Sequence, residues 1–152
     1  MQIPQPLYRE ILSRMPIACV DLMVTNPEGN VLLVKRNNPP AKDHWWFPGG
    51  RIFYRETRRD AVQRKLAEEC NLASETIEEL GTHSLQLEID DGSGIAHSIT
   101  TVYRVRIAAS HGLRLDSQSR AACWQSAGLW LGETLHPFID HCLTCYGRVE
   151  DV

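Results

Sequence analysis

No stretch of the chain runs to eighteen consecutive apolar residues, so none reads as a membrane-crossing helix. The opening residues lack the basic segment, apolar run and small-residue cleavage site of a secretory leader, and a soluble, cytoplasmic protein is the expectation. Positive charge is not in excess: 16 Lys and Arg stand against 19 Asp and Glu, for a net charge of -3. Neither nucleic acid nor an anionic membrane is therefore expected as a partner, and a polyanionic substrate would need a local basic patch. Cysteine occurs 5 times, an odd count without paired regular spacing. Cys19, Cys70 and Cys123 sit inside apolar patterns, so reduced, buried thiols are expected. Cys142 and Cys145 form a CxxC beside His141, but zinc needs about four ligands and no second pair exists. Internal repeats and linkers are also missing. With 152 residues, 43% hydrophobic and 23% charged, one globular domain over 1–152 is expected, burying roughly 70% of its unfolded surface.

What is present falls into alternating patterns. Residues 6–15 carry Leu7, Tyr8, Ile11 and Leu12 on one stripe behind Pro6, a short helix that would pack as a lid or dimer contact. Residues 17–25 are nearly continuous apolar and β-branched, a buried strand interrupted by Asp21, whose carboxylate is costly there unless a cation or hydrogen bond meets it. Residues 31–36 read as the return strand, with Lys35 and Arg36 at its end. Trp45, Trp46 and Phe47 then lead into Pro48-Gly49-Gly50, where tandem glycines permit unusual backbone conformations and close approach. Residues 74–79 read as a turn or short helical piece. Leu85, Leu87 and Ile89, then Ile99, Thr101, Tyr103, Val105 and Ile107, alternate as a hairpin around residues 90–94. Residues 108–120 read as a polar loop, 121–125 as a last strand, and 134–146 as a closing helix with Leu135, Phe138, Ile139, Cys142 and Leu143 inward.

The strongest helix lies over 57–70, with Thr57 as its N-cap and neither Pro nor Gly inside. Val62, Leu66 and Cys70 mark an apolar arc of about 80°. Glu69 falls about 20° to one side of Val62, Lys65 about 60° and Glu68 about 120°, with Arg64 beyond. A solvated face would set these charges opposite the arc. Clustered carboxylates near a glycine turn suit a hard divalent cation bound along with substrate phosphates, and Arg36, Arg51, Arg55 and Arg64 could hold phosphate oxygens. A phosphoanhydride or nucleotide substrate is the class implied.

These residues resemble the signature of the Nudix hydrolases: Gly, five residues, Glu, seven residues, Arg-Glu, an apolar residue, any residue, Glu-Glu, any residue, Gly, and an apolar residue. Gly50, Glu56, Arg64, Leu66, Glu68, Glu69 and Leu72 stand at the required spacing. Lys65 replaces the glutamate after the arginine, and Asn71 replaces the late glycine, a mild change because Asn tolerates the left-handed conformation. Residues 16–24, Lys35-Arg36, Pro40-Ala41 and the run 46–52 further resemble the GDP-mannose mannosyl hydrolase branch, which also lacks the glutamate at the Lys65 position.

The resemblance implies an α/β fold, a Nudix-type α/β/α sandwich with a mixed β-sheet. It implies magnesium on the Gly49 carbonyl, Glu69 and Gln118, with Arg36 and Arg51 on the diphosphate and Arg64 orienting carboxylates. Asp21 would face the sugar, and Tyr103, like Trp45, Trp46 and Trp124, could stack on a nucleobase. Such enzymes attack the anomeric carbon of a nucleotide sugar such as GDP-mannose or GDP-glucose, releasing GDP and free sugar. That branch follows its glutamine ligand with a histidine base; here Ser119 stands there, leaving His111, His97, Asp116 or Glu68 as candidates. Two alternatives stay open: attack at phosphorus with Glu68 and Glu69 as ligands or base, or a binding module that has lost catalysis, with Lys65 paired to Glu69 in competition with the metal. A homodimer is suggested by the resemblance alone.

Overall fold

The computed structural model describes residues 2–89, 92 and 94–148. Its elements in chain order are α1 (Gln5–Leu12), β1 (Ile17–Thr25), β2 (Val31–Arg36), β3 (Trp45–Trp46), β4 (Gly49–Arg51), α2 (Arg58–Cys70), β5 (Thr76–Glu88), β6 (Ile95–Arg106), β7 (Ser119–Gln125), α3 (Ala127–Leu131) and α4 (Pro137–Tyr146). The sheet is mixed. Its order is β3-β2-β1-β6-β5, with β1 parallel to β6, while β4 also pairs with β1 and β7 with β2. The near-continuous apolar run of β1 follows from this central place, because both of its faces are covered.

Alternation along β1 and β6 sorts side chains into two cores. Val20, Leu22, Val24, Tyr103 and Val105 face Val62, Leu66 and Cys70 of α2. On the other face Met23, Leu33, Phe47 and Val102 meet Trp130 of α3 and Phe138, Ile139, Cys142 and Leu143 of α4. The expected α/β/α layering is what forms. Each fully buried Leu or Val stabilises it by about 1.5–3 kcal/mol.

Several expectations need correction. Residues 76–79 are strand, not turn or helix, because β6 offers partners from Ile95 to Arg106, and Thr76 and Ile77 pair with Arg106 and Val105. A register shift between Glu79 and Gly81 lets β5 continue past its weak alternation. Strand β2 returns alongside β1 only at Thr25–Val31 and then pairs with β3 and β7, leaving the Cys19–Asp21 stretch of β1 to β4. The expected turn at 90–94 rests on residues 90, 91 and 93, which lie outside the described ones. The closing helix starts only at Pro137, capped by His136, and α3 precedes it unforeseen. Cys70 and Cys142 are buried, Cys19 and Cys123 partly so, and Cys145 is exposed.

Candidate active site

Helix α2 begins where Thr57 Oγ1 accepts from the Asp60 N–H, and it ends at Asn71 with φ 57° and ψ 37°. The asparagine therefore does take the left-handed cap that the late glycine would take. It also does more: its side-chain amide donates to the Gly112 carbonyl at 2.8 Å, and the Arg114 N–H donates to the Cys70 carbonyl at 3.0 Å. Leu113 and Leu115 pack into the α2 core. The loop after β6 is thus pinned to the end of α2, with Leu113 and Leu115 inward while His111, Gly112, Arg114, Ser117 and Gln118 stay exposed.

Glu69 is buried on the sheet side of α2, 7% exposed. One carboxylate oxygen accepts the Gly49 N–H at 3.1 Å, and the other meets Lys65 Nζ at 2.7 Å. Burial holds the Glu69 carboxyl above its ordinary range, with Lys65 and the Gly49 N–H opposing and Asp116 adding to the rise. Asp116 is therefore the member of the loop after β6 whose charge reaches Glu69. The other base candidates lie elsewhere: His97 pairs with Ser84 on the β5–β6 hairpin, and His111 is exposed.

Arg64 occupies the centre of a second cluster. Its Nε and one terminal nitrogen hold both oxygens of Glu56 at 2.7 and 2.9 Å, and it also donates to Glu68 at 3.2 Å and to the Arg51 carbonyl at 3.0 Å. Its guanidinium lies 3.6 Å from the Phe53 ring centroid. Glu56 also accepts the Phe53 N–H, so the 52–57 loop is stapled to α2. The Glu56 carboxyl is held below its ordinary range, first by Arg64. Glu68 is half-exposed and leans on Arg64.

Asp21 is 7% exposed, on β1 opposite Gly49. Thr100 Oγ1 donates to it at 2.6 Å, the Trp46 side chain hydrogen-bonds it as well, and the charge of Arg36 reaches it. Thr100 has no local signal in the sequence, since only the parallel pairing of β6 with β1 brings it there. Burial pushes the Asp21 carboxyl up to about 6, from an ordinary value of 3.8. Between those values the native state holds a proton that the unfolded chain has lost, so stability falls as pH rises through the window, and the full cost stands above it. Asp21→Asn keeps the shape without the charge. We expect it to raise stability at pH 7.5 by about 1–2 kcal/mol and to change it little near pH 4, as urea melts at the two pH values would report.

Arg36 donates from Nε to the Pro40 carbonyl at 2.8 Å. Arg51 lies between the rings of Phe53 and of Tyr8, the latter carried by α1, at 4.8 and 5.7 Å. The α1 contact to this arginine was not foreseen. Two expected members are placed apart. Gln118 is exposed and its side-chain oxygen accepts from the Asn38 amide at 2.9 Å. Tyr103 is buried beneath α2 with its hydroxyl towards Glu79, on the face opposite Asp21, because it pairs with Leu22 while Asp21 pairs with Val102. Trp45 packs on Trp130, Trp46 on Phe138, and Trp124 against the α2 core. Burial lifts the Cys19, Cys70 and Cys142 thiols to about 12, which removes them as nucleophiles.

The donors expected to hold magnesium do not fit it in this arrangement. Magnesium demands near-octahedral oxygen ligands. Glu69 is taken by Lys65 and Gly49, Glu56 by Arg64, and Gln118 by Asn38. Among the described residues no group of three His, Cys, Asp or Glu is placed to hold a metal ion.

Comparisons with known proteins bear on the family and the fold. The model of the NUDIX domain matches residues 15–135. The low-salt glycan biosynthesis protein Agl8 of Haloferax volcanii is 32% identical over 145 residues, covering 93% of this chain and 89% of its own. Among solved structures, a MutT protein from Methanosarcina mazei superposes with a TM-score of 0.74 at 23% identity, covering 86% of this chain and 93% of that one. The NUDIX domain of Shewanella oneidensis NrtR, complexed with ADP ribose, gives 0.70 at 22% identity, covering 90% and 94%. The signature on α2, the fold around it and the family match make this chain a member of the Nudix hydrolase family.

Proposed function

We propose that the chain hydrolyses nucleoside diphosphate sugars, with GDP-mannose or GDP-glucose as substrate, by attack of water on the anomeric carbon. The observation that carries this reading is Asp21: a buried carboxylate fixed by Thr100 and Trp46 beside the Gly49 turn, kept despite its cost to stability. A carboxylate held this way can accept hydrogen bonds from a sugar. The glycan biosynthesis relative and the ADP ribose in a structural neighbour support a sugar nucleotide as the substrate class.

In this mechanism water adds to the sugar carbon, the bond from carbon to the bridging oxygen breaks, and the nucleoside diphosphate departs. Arg36 and Arg51 neutralise the charge that develops on the diphosphate. Asp116, whose charge reaches Glu69 and whose carboxylate accepts the Gln118 N–H, is the base we assign to the attacking water. Nudix hydrolases generally use a divalent metal; magnesium is the ion the resemblance names, and the donors it would need are otherwise engaged. A homodimer is suggested by the family resemblance alone.

The half-exposed Glu68 next to Glu69 favours phosphorus attack as the second reading. Turnover of a nucleotide-sugar panel in oxygen-18 water separates the two. Label in the released sugar is expected. Label in phosphate instead would establish the second reading, and binding without turnover would leave a binding module.

A further inference from the structure

The Lys65 side chain has its own place in this fold. It rises from α2 across the glycine turn, and a Cβ built on Gly50 would stand 3.0 Å from its Cε and 3.2 Å from its Nζ. The second glycine thus leaves the space that this lysine fills. Its ammonium ends 2.7 Å from Glu69, with the two side chains only 14% and 8% exposed. The Gly49 N–H binds the other oxygen of the same carboxylate. Among the described residues no buried side-chain nitrogen or oxygen lacks a hydrogen-bond partner, so the hydrogen bonding of the corner is satisfied by protein groups.

We propose that Lys65 is a tethered cation that takes the place of a divalent ion at Glu69. The inference deepens the reading above, since it concerns the corner where the diphosphate would be held. Three observations carry it. The lysine needs no capture from solution, because helical spacing already holds it one turn from Glu69 and gives it a high effective concentration. A hard divalent ion binds through oxygen donors, and the one Glu69 oxygen not held by the Gly49 N–H already faces the Lys65 ammonium. Finally, the lysine lies where the signature carries a carboxylate, so the substitution removes one negative charge and adds one positive at the same corner. Fixed positive charge therefore remains beside the Gly49 turn with no metal bound at Glu69.

The test measures Mn2+ binding by electron paramagnetic resonance with no nucleotide present. Lys65→Met removes the ammonium and leaves the buried Glu69 carboxylate without its cation. It is expected to take up one equivalent of Mn2+ at least about tenfold more tightly than the wild type, the scale on which neighbouring groups shift metal affinity. Glu69→Gln added to Lys65→Met should abolish the gain. Equal affinity in wild type and Lys65→Met overturns the proposal, as does an ion that survives the double substitution. Should Lys65→Met fail to fold, Lys65→Gln serves in its place, and the wild type against Glu69→Gln decides as well: one Mn2+ bound tightly by the wild type and lost in the variant overturns the proposal. Because no sugar nucleotide enters the measurement, failure of the substrate reading is scored separately by the oxygen-18 assay.

Discussion

Gly49→Ala lowers stability by at least about 3 kcal/mol and the melting midpoint by roughly 10 °C, while Gly50→Ala stays within about 1 kcal/mol of the wild type. The two adjacent glycines differ because of what faces them. A Cβ on Gly49 would stand 2.3 Å from the Val20 carbonyl oxygen and 3.0 Å from Asp21 Cα, both backbone of the central strand. Neither can yield unless β4 separates from β1, which would also carry away the Gly49 N–H that holds Glu69. At Gly50 the nearest atoms are the far end of the flexible Lys65 side chain, which need give way by only a few tenths of an ångström and can do so without leaving Glu69. Neither glycine has the positive φ seen at Gly29, Gly92, Gly94 and Gly112, so of the two uses expected of the tandem glycines only close approach applies. Thermal melts of the two variants, followed by circular dichroism, check the contrast; equal midpoints would count against it.

Arg64→Ala is the second large effect. It leaves the Glu56 carboxylate, whose side chain is 14% exposed, with only the Phe53 N–H, and it removes the Glu68 partner and the stack on Phe53. Removing one member of such a pair costs about 3–5 kcal/mol when it is well buried, so about 3 kcal/mol is expected for this partly buried one. The 52–57 loop, which follows the Gly49 turn, loosens with it. Acid dependence gives a separate signature. Because Arg64 depresses the folded-state Glu56 pKa below its ordinary 4.5, the pair contributes stability above that value and loses it as pH falls through the folded value. Urea melts at pH 7 and near pH 3 should therefore converge for Arg64→Ala relative to the wild type. Arg64→Lys keeps the charge but not the fork, and is expected to recover only part of the loss. An unchanged acid profile in Arg64→Ala would show that Glu56 takes its low pKa from elsewhere.

Much of this molecule could be read along the chain. The Thr57 cap, the apolar arc of Val62, Leu66 and Cys70, and the left-handed Asn71 depend on contacts within a turn or so of helix, where spacing alone decides who meets whom. The pairing of Lys65 with Glu69 belongs to the same class. So does the run of β1, although its alternation could not say which strand would pair with its Asp21 end. The signature spacing led to the family, and the structure sets its Arg64 at the middle of α2 and its Glu69 in the last turn.

The rest was settled by contacts between distant segments. Thr100 reaches Asp21 across 79 positions, Asn71 ties down a loop 41 positions later, and Asn38 takes the side-chain oxygen of Gln118 from 80 positions away. Tyr103 went to the core beneath α2 because its register with Leu22 put it on that face. By itself the sequence determined α2 with its two caps and charged strip, and the buried run of β1, since those follow from short-range geometry. Only the tertiary structure decided which carboxylate is neutralised by which cation, because burial and pairing across the sheet set that balance and neither has a local period.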